Sequence, residues 1–103
     1  GSLERLEALG ASRAELELVR GRAAAGKGEI DRAVASLREA LQARRPSLRE
    51  RQRLSALLTL GRLLQREGDY PGALESYREA RRIDPDHPAV TRFFERLERR
   101  RSR

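Results

Sequence analysis

The chain has 103 residues and a net charge of +7; 38% of it is hydrophobic, 38% charged and 4% aromatic. No stretch approaches the roughly 20 apolar residues of a membrane-spanning helix, and no signal-peptide pattern is present. It has no cysteine, which excludes disulfides, thiol catalysis and thiolate metal sites, and its one histidine, His87, leaves little room for hydrolytic or metal chemistry.

Gly1-Ser2 reads as a cloning remnant, so residues 3–103 are taken as a single domain. Leucine, alanine, glutamate, arginine and glutamine dominate, and no β-branched run argues for strands, so the expected class is all-α. A short helix is expected over 3–9, with Gly10 ending it. Ser12 and Glu15 have the spacing of a capping box, in which hydroxyl and carboxylate satisfy each other's free amides, and a helix runs from there to about Ala25. Gly26-Lys27-Gly28 breaks it. The next helix runs from Glu29 to about Arg44, and Pro46 stops it. Ser47 and Glu50 offer a second capping box for a helix reaching about Glu67. After the Gly68 turn, Asp69 caps a helix with Pro71 in its first turn, where the missing N–H costs nothing. That helix ends near Arg82. Beyond the Asp84–Pro88 turn, Ala89 to about Arg100 forms a last helix, on which Val90, Phe93, Phe94 and Leu97 make one apolar stripe.

The chain repeats itself. Shifted by 40 residues, Leu18, Gly21, Arg22, Gly28, Ala33, Ser36, Arg38, Glu39 and Ala40 fall on identical residues in the windows 14–47 and 54–87. In the second window, Leu57, the pair Leu60-Gly61, Leu64, Ala73, Tyr77, Ala80 and Pro85 stand at fixed intervals. On these residues the window resembles a tetratricopeptide repeat, with Leu64 where tyrosine is usual. The first window matches less fully: Glu17 and Arg20 occupy apolar slots, Leu37 the aromatic one, and Pro46 comes a residue late. The six extra residues, Leu48 to Arg53, are expected to add nearly two turns to the start of the third long helix. Residues 89–100 take the place of the solvating cap.

The resemblance implies a right-handed solenoid of helix hairpins whose first helices line a concave groove, and a non-catalytic scaffold or adaptor that holds a peptide or partner helix there. On that pattern Leu18 and Arg22 face the groove from the first repeat, with Glu15, Val19 and Ala25 beside them. Ser55, Leu58, Thr59, Arg62, Gln65 and Arg66 face it from the second. Leu18 and Leu58 would form an apolar floor. Arg22, Arg62 and Arg66 in one concavity favour carboxylates, so an acidic ligand is expected. The lysine–asparagine set with which some family members clamp a terminal carboxylate is absent.

Charge distribution supports a second reading. Residues 44–53 hold five arginines against one glutamate, a net +4. Residues 88–103 hold six against two, another +4, and the remainder has 12 bases against 13 acids. Segments 44–53 and 99–103 could therefore serve nucleic-acid binding or a transcription regulator. Lys27 is the one lysine among 23 basic residues, as coding bias in a GC-rich bacterial genome would also produce. No cofactor, metal or catalytic residue is assigned, and His87 reads as an exposed turn residue. The family resemblance favours the cytoplasm. Two repeats leave apolar ends, notably near Leu3, Leu6 and Leu9, through which copies could self-associate.

Overall fold

The computed structural model describes residues 12–43 and 48–101. Five helices follow one another along them: α1 (Arg13–Gly26), α2 (Ile30–Gln42), α3 (Glu50–Arg66), α4 (Tyr70–Ile83) and α5 (Pro88–Arg101). The described residues contain no strand. The expected helix over 3–9, Pro46 and the Ser47 cap lie outside them.

Local chemistry sets each helix end. Ser12 Oγ accepts from the Glu15 amide at 3.1 Å while Glu15 Oε1 accepts from the Ser12 amide at 3.3 Å, the reciprocal box that starts α1. The two hairpin turns are copies of each other. Gly28 and Gly68 sit at φ +78° and +81°, a region that side chains disfavour. Around them the Glu29 amide reaches the Ala24 carbonyl at 2.9 Å and the Asp69 amide the Leu64 carbonyl at 2.8 Å. This is the wrap that satisfies the last carbonyls of a helix. Asp69 Oδ1 accepts from the Gly72 amide at 3.0 Å and caps α4.

Helix α3 starts later than expected. Its first residue is Glu50 and its cap is Arg49, so the extension over the shorter repeat is about one turn rather than two. Gln52, not Glu50, closes the cap, its Oε1 accepting from the Arg49 amide at 2.8 Å. Leu48, buried at 4% exposure, stays outside the helix because its side chain is drawn into the core. Helix α2 stops at Gln42 rather than Arg44, and α5 starts at Pro88, where the fixed φ suits a first turn.

Small residues let the helices of each hairpin approach. A Cβ on Gly21 would stand 2.8 Å from Leu37 Cγ, and one on Gly61 2.7 Å from Tyr77 Cε2. Ala33, Ala40, Ala73 and Ala80 are fully buried beside them. The burial pattern over 33–40 recurs position by position over 73–80. One apolar cluster runs from Ala14 and Leu18 through Leu37 to Leu60, Leu64 and Ala73; a second joins Leu57, Ala80 and Val90. Phe93 packs against the first and Phe94 against the second. Tyr77 carries the core into α5 by stacking on Phe93, ring centroids 4.1 Å apart. Glu17, in an apolar slot, is buried yet answered: its Oε1 accepts from Arg20 Nη1 at 2.8 Å. The two residues that depart from the apolar pattern thus pair with each other.

Candidate functional site

The described residues span 53 × 26 × 20 Å, and α1, α3 and the start of α5 enclose a concavity of about 630 Å³. Arg22, Ser55, Leu58, Thr59, Arg62 and Arg66 line it, as does Ala25. All except Ala25 and Arg22 come from α3, whose residues at 55, 58–59, 62 and 66 share one face because a helix turns every 3.6 residues.

Four anticipated residues lie elsewhere, among them Val19, which lines a different hollow with Arg20 and Ala23. Leu18 is buried at 4% exposure within the core, so Leu58 is the part of the expected floor that faces the concavity. Gln65 turns toward α4, where its Oε1 accepts from the Tyr77 hydroxyl at 3.3 Å, and it lines a different hollow. Glu15 is also spent elsewhere. It closes the α1 cap and its Oε2 accepts from Gln52 Nε2 at 3.3 Å. The backbone hydrogen bond at Ser12, then Gln52 and the Ser12 hydroxyl, hold the Glu15 carboxyl below the usual carboxylate range against a small desolvation.

The electrostatics of the concavity are one-sided. Arg22, Arg62 and Arg66 line it and no carboxylate does. None of the three is in an ion pair among the described residues; Glu67 lines a separate shallow hollow beside Gly28 and Asp31. Arg22 Nη2 donates to Ser55 Oγ at 2.6 Å, a contact that ties the two repeats together and fixes one guanidinium at the rim. Thr59 Oγ1 donates to the Ser55 carbonyl, so its hydroxyl is turned onto its own helix. Tyr77 forms part of the back wall; burial raises its hydroxyl above the ordinary tyrosine range, with Arg62 and Arg96 pulling the other way.

His87 belongs to this wall and was missed. It is half-buried rather than exposed, and its Nδ1 accepts from the Ala89 amide at 3.1 Å, capping α5. The signal was its place one residue before a proline that opens a helix, since the mouth of α5 faces the same side as α1 and α3.

The basic segments are put to mixed use. Arg53 Nη1 donates to the Leu41 carbonyl at 3.2 Å and so closes the end of α2; Arg49 and Arg51 are exposed. Arg99 pairs with Glu95 at 3.9 Å. Residues 44–47 and 102–103 lie outside the described residues. Among the described residues, no group of acids and histidine is placed to hold a metal ion, and no helix is long and apolar enough to cross a membrane.

A sequence model of the family described as "Tetratricopeptide repeat" matches residues 18–88. No curated protein matches the chain. No solved structure does either.

Proposed function

Because the chain belongs to the tetratricopeptide repeat family, a family of protein–protein interaction modules, we propose that its concavity holds an acidic segment of a partner protein. The observation that carries this reading is the set of three guanidiniums on one concave wall with no carboxylate among its lining residues. Guanidinium–carboxylate hydrogen bonds are short, forked and charge-assisted, worth about 1.5–3 kcal/mol each where water is partly excluded. Leu58 and the Tyr77 ring offer apolar contact between the charges, so an acidic segment with interspersed apolar residues fits better than a purely acidic one. His87 adds a polar ring at the α5 end.

Two probes at physiological salt test the proposal: a fluorescent peptide alternating glutamate with leucine, and a single-stranded oligonucleotide of equal charge. Each is titrated into the domain, into an Arg22→Glu, Arg62→Glu, Arg66→Glu variant, and into a chain lacking residues 99–103. The expected result is peptide binding weakened by about tenfold or more in the triple variant and unchanged by the truncation. An oligonucleotide that binds more tightly than the peptide and is lost with the truncation overturns it in favour of nucleic-acid binding through the basic tail.

A further inference from the structure

A second hollow, about 340 Å³, lies between the start of α4 and the C-terminal half of α5. Its floor is apolar, made by Tyr70, Pro71, Leu74, Phe93 and Leu97. Tyr70 is 53% exposed, the large hydrophobic side chain that the described residues leave most open to water. Arg96 and Arg100 stand along the rim, and the Arg100 guanidinium lies 5.5 Å from the Tyr70 ring centroid.

The internal repeat shows what shape this hollow takes. Tyr70 and Leu74 are the 40-residue counterparts of Ile30 and Val34. At the first junction Ile30 and Val34 are half-buried against the cluster that contains Leu63, Leu64 and Ala73. At the second junction α5 takes the part of α3, and Tyr70, the counterpart of Ile30, is left exposed. Tyr70 and Leu74 on α4, and Phe93 and Leu97 on α5, are each four residues apart, so the apolar floor has the spacing that meets the stripe of an amphipathic helix.

Charge selects the occupant. Helix α5 carries five arginines against two glutamates. A second copy laying its own α5 there would bring two arginine-rich rims together, which costs free energy at short range. An acidic amphipathic helix meets both the apolar floor and the two guanidiniums.

We propose that the trough between α4 and α5 is a second docking surface, which seats an amphipathic partner helix along α5, with its apolar stripe on Tyr70, Leu74 and Leu97 and flanking acids against Arg96 and Arg100. The surface is separate from the arginine-lined concavity and stands whether or not the concavity binds a ligand.

The probe is a labelled peptide of about 16 residues with leucine at i, i+3, i+4 and i+7 and glutamate on either side; its counterpart carries lysine instead. Both are titrated into a chain carrying Arg22→Glu, Arg62→Glu and Arg66→Glu, which removes the concavity's positive charge, and into that chain with Tyr70→Ala or with Arg96→Glu and Arg100→Glu added. These side chains are exposed, and circular dichroism checks that each variant keeps its helices. The expected result is preference for the glutamate peptide, weakened about tenfold by Tyr70→Ala and by the Arg96/Arg100 pair. Equal binding of the lysine peptide, or no weakening at the trough variants, overturns the proposal. No binding to the chain without the concavity's arginines means that the peptide lodges in the concavity alone and overturns it too. A mass that doubles with concentration in light scattering, and returns to monomer with Tyr70→Ala, shows that a second copy fills the trough and overturns it as well.

Discussion

Gly61 is the position where a single added carbon meets most resistance. Its Cβ would press on Cε2 and Cδ2 of Tyr77, at 2.7 and 3.0 Å, and that ring has no free side to move to because Phe93 is stacked against it. Gly61→Ala is therefore expected to destabilise the domain by about 1–3 kcal/mol, read from the midpoint of urea unfolding. Gly26, the last residue of α1, has nothing within 4 Å of such a carbon and an ordinary φ. Gly26→Ala should stabilise by roughly 0.5 kcal/mol, since alanine loses less backbone freedom in a helix. If both substitutions shift the midpoint the same way, close approach is not what holds Gly61. The need for small residues at 21, 61, 33 and 73 was legible in the sequence because their spacing repeats. That Leu18 is core and Gln65 turns toward Tyr77 was not. A helical face is some 100° wide, and residues at its margins are assigned by the neighbour they meet, here Tyr77 for Gln65.

Helix ends were legible where their chemistry is local. The Ser12–Glu15 box and the Asp69 cap need only residues three apart, and both form. The start of α3 was not legible, since it depends on whether Leu48 prolongs a helix or fills the core, a choice made by tertiary burial. The α1 box has a pH signature. Its hydrogen bonds hold the Glu15 carboxyl below the ordinary range, so the folded state favours the ionised form. That contribution is present in full above the unfolded carboxylate range and is lost as pH falls through the lowered folded value. Glu15→Gln keeps an acceptor for the Ser12 amide but cannot titrate. The gap in melting temperature between wild type and Glu15→Gln is expected to narrow as pH drops from about 6 to about 3. Parallel melting curves across that range would show that the carboxylate contributes nothing. Ser12→Ala removes the other half of the box and is expected to cost about 1 kcal/mol at neutral pH.

Across the whole molecule, packing runs between helices adjacent in the chain, with α1 also reaching α3. Stability in such an array is close to a sum of hairpins and the interfaces between them. α5 is the least anchored helix: Phe93, Phe94 and Leu97 are half-buried, and Val90 is its fully buried side chain. Hydrogen exchange should therefore find α5 amides opening well before those of α3, with Tyr77→Ala widening the difference. Uniform protection across α3 and α5 would mean that the cap folds as one unit with the repeats. The solenoid architecture was legible from the 40-residue offset. The trough beside α5 was not, because composition marks Phe93 and Leu97 as apolar without saying how much of α4 they leave uncovered.

The neighbour-to-neighbour packing has a mechanical consequence. No sheet or long-range staple ties the first described helix to the last, so tension applied through the two ends is borne in series, one interface after another. The weakest link is the contact of α5 with Tyr77 and Ala80, and it yields first, adding a short length of slack while the two hairpins stay shut. A partner helix seated in the trough would brace that link, raising the force at which the chain first gives way.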